Sequence, residues 1–172
     1  MADTERQFNT PSEMAPHLAA ALHHQAFPNG DRARLKRMGV TGPTPLAYHR
    51  FLLRHIPHRW QREGLEMGWR TLVAALARQH HNPHAPDISL GRALADSGYS
   101  EARLESLLAA EGRVLATLTL RAATRLAAQR ARCNWKDTAR LLFAFDDEAR
   151  ERINRKIARD YYRTATSAPG SQ

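Results

Sequence analysis

The chain has 172 residues, enough to bury a hydrophobic core without the help of a metal or a disulfide. Its single cysteine, Cys133, excludes an internal disulfide, and no Cys/His spacing near it indicates zinc, so we expect a reducing, cytoplasmic setting. Lys and Arg total 26 against 17 Asp and Glu, a formal net charge of +9 that favours polyanionic partners, nucleic acid above all.

The ends of the sequence are polar. Residues 1–11 lack the basic start and apolar stretch of a signal peptide, so we expect a flexible N-terminal segment. No apolar run is long enough to span a bilayer, and no membrane partner is expected. Residues 165–172 are small and polar, which predicts a disordered tail.

Leucine and alanine recur at helical spacing along most of the chain, and no useful alternating run indicates a strand. This pattern predicts an all-α fold built from two small helical halves. In the first half the predicted helices cover residues 12–26, residues 31–39, a segment that contains Tyr48, Phe51 and Leu52 and ends at Pro57, and residues 61–79.

A polar, proline-containing segment at residues 80–86 is the predicted boundary between the halves. It separates an N-terminal bundle over residues 12–82 from a C-terminal bundle over residues 88–164. In the second half the predicted helices cover residues 90–96, 101–110, 113–132 and 135–145, followed by a last helix that starts at Asp146 and Asp147.

Arginines are concentrated on the long helix predicted at residues 113–132. Arg121, Arg125 and Arg132 follow one another at steps of four and seven, so they would share one face. One helical turn rises ~5.4 Å, which is comparable to the phosphate spacing of an extended strand. Because residues 113–132 contain no acid, these charges have no local partner, and we predict contact with a nucleic-acid backbone.

The predicted second helix carries another basic cluster with the same expected role. Its members are Arg32, Arg34, Lys36 and Arg37. Arginine also stacks on bases, which suits a single strand. The simpler interpretation of both clusters is a solvated helix face.

Residues 90–110 allow a different interpretation, because a tight turn at Gly98 between two helices is typical of a helix-turn-helix regulator. The second helix of that motif enters the major groove, and here Glu101 and Glu105 would oppose phosphate. We therefore keep this function as an alternative to the backbone-binding one.

An enzyme is disfavoured, since the sequence has no Gly-x-Ser-x-Gly elbow, no glycine-rich phosphate loop and no evident Cys/His pair. A dispersed active site stays open as a third class. His80, His81 and His84 could hold a metal only on a helix, which Pro83 opposes, so we expect an exposed loop with no metal or cofactor.

Four short motifs resemble the small subunit of the type I-E CRISPR interference complex Cascade, the CasB family. They are Gly-Asp-Arg-Ala-Arg-Leu at residues 30–35, Ser-Glu-x-Arg-Leu-x-x-Leu-Leu at 100–108, Asn-Trp at 134–135 with Leu-Leu at 141–142, and Ala-Arg-Asp-Tyr-Tyr at 158–162. Of the proposed contact residues, only Arg32 and Arg34 lie within a motif.

The resemblance implies a non-catalytic subunit of a crRNA-guided complex. Such subunits occur as a pair of copies, contact the large and backbone subunits, grip the displaced DNA strand and support the crRNA–target duplex. Base pairing reads the sequence in these systems, so the protein need recognise only charge and shape.

Overall fold

The computed structural model describes residues 8–167, and its regular structure is helical, which confirms the all-α prediction. Two short 3₁₀ helices, Pro11–Met14 and His58–Trp60, accompany the α-helices. The nine α-helices of the described residues are α1 Ala15–His23, α2 Asn29–Arg37, α3 Leu46–His55, α4 Glu66–Ala77, α5 Leu90–Asp96, α6 Glu101–Ala109, α7 Gly112–Ala128, α8 Trp135–Leu142 and α9 Asp147–Ser167.

Side-chain caps fix the starts of the later helices. The Ser89 hydroxyl accepts from the Arg92 amide at 3.3 Å, and the Ser100 hydroxyl accepts from the Arg103 amide at 3.4 Å. Asn134 caps α8 in the same way. Each cap satisfies an amide that has no partner within its helix, so α5, α6 and α8 begin where the sequence predicts.

Several predicted boundaries were wrong, because turns replace helix there; the helix predicted at residues 135–145, for example, ends at Leu142. The helix predicted at residues 61–79 begins only at Glu66, after Gly64 at φ +89°. The helix predicted at 113–132 ends at Ala128, and the one predicted at 12–26 is a 3₁₀ turn followed by α1.

The end of α7 is a left-handed cap. Arg130 adopts φ +50°, its amide donates to the Ala127 carbonyl, and the Ala131 amide donates to the Leu126 carbonyl at 2.9 Å. These two bonds satisfy carbonyls of the last turn and direct the chain away from the helix axis. Residues 130–132 therefore do not extend α7.

The hydrophobic core runs through most of the described helices. Helix α4 packs against α1, α2, α7 and α8. Trp69 of α4 and Trp135 of α8 are fully buried within this core. The division into bundles over residues 12–82 and 88–164 stays a prediction.

Helices α5 and α9 approach each other most closely at Gly91. A Cβ atom added there would lie 2.2 Å from the Ile157 carbonyl oxygen and 2.8 Å from the Tyr161 nitrogen, so only glycine permits this approach. The Tyr161 hydroxyl donates to the Tyr99 carbonyl at 2.6 Å and ties α9 to the α5–α6 turn.

A buried carboxylate joins α5, α8 and α9. Asp137 is fully buried, and its Oδ2 accepts from the Leu90 amide at 3.1 Å and from the Lys156 ammonium at 3.0 Å. Its Oδ1 accepts from the Arg140 guanidinium at 3.2 Å. Burying this charge is tolerated because both oxygens have cationic partners.

Helix α9 continues to Ser167, three residues beyond the predicted end of the C-terminal bundle. The rest of the predicted tail, residues 168–172, lies outside the described residues, as do residues 1–7 of the predicted N-terminal segment.

Candidate nucleic-acid interface

Arg32 is committed to interactions within its own chain. Its Nε donates to the Leu22 carbonyl at 2.8 Å and its Nη1 to the Asn29 side chain at 3.2 Å, while the guanidinium lies 5.8 Å from the centre of the Phe27 ring. Leu22 belongs to the last turn of α1, where carbonyls lack helical partners. Arg32 thus holds α1 against α2.

Arg34 is exposed and forms an ion pair with Asp31 at 3.1 Å. Asp31 also accepts two bonds from Arg50 of α3, and these hydrogen bonds lower the pKa of the Asp31 carboxyl. Lys36 and Arg37 are exposed at the end of α2, and neither makes an ion pair within residues 8–167. They are the members of the first cluster best placed to meet an external anion.

Arg125 is half-buried and supports the turn between α5 and α6. Its Nε donates to the Ser97 carbonyl at 2.6 Å, at the C-terminal end of α5. Its Nη2 lies 2.9 Å from the position that a Cβ on Gly98 would occupy. A half-buried guanidinium fixed in this way stabilises the turn.

Arg132 does not share a helix with Arg121 and Arg125, so the predicted common face is wrong for it. The physical reason is the left-handed cap that ends α7 at Ala128. Arg132 is exposed and donates from Nε to the Asn82 carbonyl at 2.8 Å and from Nη2 to the His84 carbonyl at 2.9 Å.

The histidine-containing segment is held against residues 131–135 by backbone and side-chain bonds. The Cys133 amide donates to the Pro83 carbonyl, and the Ala85 amide donates to the Cys133 carbonyl. His84 Nδ1 accepts from the Trp135 amide at 3.3 Å. Burial lowers the pKa of His84, and the positive charges of Lys136 and Arg132 lower it further.

His80 and His81 are exposed, as the loop prediction has it. Within the described part of the chain, no group of three or more His, Cys, Asp or Glu side chains could hold a metal ion. Burial raises the pKa of the Cys133 thiol, which disfavours the reactive thiolate.

Arg121 is exposed on α7 and Arg103 is exposed on α6, and both lie within electrostatic range of the Tyr99 phenol. Burial raises the pKa of Tyr99, and the positive charges of Arg103 and Arg121 oppose that rise. Neither guanidinium forms an ion pair with a carboxylate among residues 8–167. We call this pair of arginines the Tyr99 patch.

Sequence reasoning did not assign Arg103 to the interface. The signal was present in the Ser-Glu-x-Arg motif, where the Ser100 cap places Arg103 in the first turn of α6. That Arg103 and Arg121 both act on Tyr99 depends on how α6 packs on α7, which no local pattern specifies.

The helix-turn-helix alternative fits this geometry poorly. Helix α5 is packed against α9, and α6 buries Leu104 and Leu107. The exposed side of α6 includes Glu105 and Glu101, the latter accepting a hydrogen bond from the Tyr162 hydroxyl. Two carboxylates on the helix that would enter the groove oppose contact with phosphate.

No helix between residues 8 and 167 combines the length and the hydropathy needed to cross a membrane. The fold and the Tyr99 patch define a small all-helical protein with exposed arginines suited to a polyanion. The chain belongs to the family of the CRISPR-associated protein Cse2, whose family model matches residues 31–162. This match confirms the resemblance found in the sequence motifs.

Three solved structures have similar folds. A chain of a CRISPR RNA-guided surveillance complex is 20% identical with a TM-score of 0.70, covering 92% of this chain and 96% of that chain. A chain of E. coli Cascade bound to a PAM-containing dsDNA target is 24% identical with a TM-score of 0.66, covering 87% and 97%. CasB of M. ruber is 21% identical with a TM-score of 0.65, covering 89% and 94%.

At these identities the structural similarity demonstrates the fold. A comparison with curated proteins gives no match.

Proposed function

We propose that this chain is a non-catalytic subunit of a cytoplasmic, crRNA-guided type I-E Cascade complex. In this proposal it stabilises the R-loop by binding nucleic-acid backbone without regard to sequence, notably the displaced DNA strand. Membership of the Cse2 family supports the assignment, as does similarity to a chain of a Cascade structure that contains target DNA. Its partners would be the large and backbone subunits, a second copy of itself and the crRNA–target duplex.

The Tyr99 patch carries this proposal. Two exposed guanidiniums, both within electrostatic range of the Tyr99 phenol, have no anionic partner among the described residues, on a chain with a net charge of +9. Unpaired cations on neighbouring helices repel one another, and a bound phosphate removes that repulsion while releasing counterions.

The predicted contact residues now divide by what they bind within the chain. We retain phosphate contacts at Lys36, Arg37 and Arg121, and we add Arg103 to them. Arg34 and Arg132 are exposed and stay as secondary contacts, since each also has an internal partner. For Arg32 and Arg125 we propose a supporting role, because their guanidiniums hold the ends of α1 and α5.

The experiment is a set of dissociation constants for fluorescent single-stranded DNA, duplex DNA and RNA of unrelated sequences, measured between 50 and 200 mM salt. We expect similar affinity for unrelated sequences and a steep loss with salt. The double variant Arg103→Gln/Arg121→Gln should lower the slope of log K against log salt by about 1.4 on a single strand, since each phosphate contact contributes about 0.7.

Arg152→Gln/Arg155→Gln is the matched control. It removes the same charge from α9, where Arg152 and Arg155 pair with Glu148 and Glu151 at 2.6 and 3.1 Å. Equal slopes for both double variants would remove the Tyr99 patch from the interface. A strong preference for one duplex sequence would instead support the helix-turn-helix regulator.

A further inference from the structure

A small cavity lies inside the core, where helices α5, α6, α7 and α8 meet. Its volume is about 10 Å³. Each of the four helices contributes a leucine to the apolar part of the lining, and these are Leu90, Leu107, Leu126 and Leu141. All four leucines are buried, so the cavity is surrounded by well-packed side chains.

Three polar side chains also line this cavity. Trp135 and Thr138 belong to α8, and Thr119 belongs to α7. They are 1%, 3% and 4% exposed, so they are as deeply buried as the leucines around them. Because Trp135 and Thr138 are three residues apart, they lie on one face of α8. The cavity therefore brings polar groups of two helices to one point of the core.

The polar atoms of these side chains have no hydrogen-bond partner among residues 8–167. They are Thr119 Oγ1, Trp135 Nε1 and Thr138 Oγ1. Six buried side-chain atoms of the described residues share this property, and half of them line this one cavity. Burying a polar group without a partner is costly, and protein cores seldom do so. Three such groups around one cavity indicate a shared partner.

A helical threonine can also satisfy its hydroxyl with the carbonyl four residues earlier. Thr71, Thr117 and Thr124 of this chain do so, at 2.7, 3.0 and 2.9 Å. Thr119 and Thr138 also lie on helices, yet their hydroxyls make no such bond. Their orientation leaves both hydroxyls available to a partner in the cavity.

Water matches both the chemistry and the size of this cavity. The indole N–H only donates a hydrogen bond, whereas a threonine hydroxyl donates or accepts. One water molecule can accept from the indole and donate to both hydroxyls, and about three hydrogen bonds are usual for a buried water. A cavity needs roughly 10–15 Å³ to hold one water, and this cavity has about 10 Å³. An organic ligand or a hydrated ion is too large.

We propose that this cavity is a binding site for one structural water molecule that bridges α7 and α8. The water accepts a hydrogen bond from Trp135 Nε1 and donates to the hydroxyls of Thr119 and Thr138. The inference is independent of the proposed function. It gives Trp135, a residue of the Asn-Trp motif, a bridging role in the core.

The bridge lies on the inner side of the helix that carries Arg121. Thr119 is buried and Arg121, two residues later, is exposed, so the two side chains lie on different faces of α7. Helix α8 is joined in turn to α9, because Asp137 accepts from the Lys156 ammonium at 3.0 Å. The water thus connects α7 to a network that includes α8 and α9.

High-resolution crystal structures of the full chain and of Thr119→Val/Thr138→Val test the site directly. Valine has nearly the shape of threonine but no hydroxyl, so the double variant leaves one polar group in the lining, too few to hold a water. In the original chain we expect a density peak about 2.7–3.2 Å from Trp135 Nε1 and from at least one of the hydroxyls. The double variant should lack this peak. A cavity without a peak in the original chain, or an unchanged peak in the double variant, would overturn the proposal.

Unfolding equilibria of the two single variants give an independent test with a predicted sign. Thr119→Val and Thr138→Val each remove one partner of the water, so each should lower the folding equilibrium constant roughly fivefold, the effect of one net hydrogen bond. Hydroxyls without any partner would give the opposite result, since replacing an unpaired buried polar group with an apolar one stabilises a core. Increased stability of both variants would therefore refute the bridging water.

Thr71→Val is the matched control. Thr71 is 1% exposed, and its hydroxyl donates to the Met67 carbonyl within α4 at 2.7 Å. A bond of this kind adds little to the stability of a helix, so we expect a change of less than about twofold. If Thr119→Val and Thr138→Val behaved like this control, their hydroxyls would be bonded within their own helices and the bridge would be excluded. None of the altered residues belongs to the Tyr99 patch, so the failure of either proposal is distinguishable from the failure of the other.

Discussion

Gly91→Ala tests the close packing of α5 against α9. The added Cβ would lie 2.2 Å from the Ile157 carbonyl oxygen and 2.8 Å from the Tyr161 nitrogen. Both neighbours are backbone atoms, so neither can rotate away as a side chain could, and α9 has to shift by about 1 Å to reach an ordinary contact distance. That shift also strains the bond from the Tyr161 hydroxyl to the Tyr99 carbonyl.

Overpacking of this kind costs about 3 kcal/mol, from which the better helix propensity of alanine recovers somewhat under 1 kcal/mol. The net loss of about 2–3 kcal/mol lowers Tm by roughly 5–10 °C in a chain of this size. Thermal unfolding followed by circular dichroism measures the change.

Gly30→Ala is the matched control on α2. Its nearest neighbour would be the flexible Arg34 side chain at 3.7 Å, so this variant should be as stable as the original chain or slightly more stable. If Gly91→Ala and Gly30→Ala had the same Tm, the reasoning about the α5–α9 contact would be refuted.

Two other predictions concern the half-buried Arg125 and the histidines. Arg125→Gln should lower the free energy of unfolding by about 1.5–3 kcal/mol, because the charged hydrogen bond to the Ser97 carbonyl is lost. Denaturant unfolding measures this change, and an unchanged midpoint would contradict the supporting role of Arg125. Burial lowers the pKa of His55 to about 4 and also lowers the pKa values of His23 and His84. Below pH 6.5 protons therefore bind preferentially to the unfolded chain. Stability should hold above pH 6.5 and fall between pH 6.5 and 4. His55→Phe should reduce the difference in Tm between pH 7.5 and pH 5, and an undiminished difference would exclude His55 as a contributor.

Local chemistry explains which parts of the fold the sequence predicts. Helices α5, α6 and α8 start where expected because a serine or asparagine cap stands immediately before each of them. Burial of Trp69 and Leu72 likewise follows from their helical spacing on α4.

The end of α7 was missed because Ala, Gln and Arg all favour helix, and only the left-handed Arg130 ends it. The backbone bonds between Cys133 and residues 83–85 then hold the chain in its new direction, and their partners are about 50 residues apart in sequence.

The arginines of α7 show that local sequence patterns also miss long-range contacts at the candidate site. The step of four correctly indicated that Arg121 and Arg125 lie on neighbouring turns of one helix. It did not distinguish the exposed guanidinium from the half-buried one, since the partner of Arg125 is Ser97, 28 residues earlier. Replacing both with glutamate would therefore combine a binding defect with a folding defect.

The most direct test of the central claim uses the assembled complex on a target duplex. The displaced strand is probed with permanganate, and the dissociation rate of the R-loop is measured in parallel, for complexes containing either the original chain or Arg103→Gln/Arg121→Gln. We predict that both complexes assemble equally, and that the variant leaves the displaced strand more reactive and loses the R-loop faster. Equal reactivity and equal R-loop lifetimes would contradict the claim that these arginines hold the displaced strand.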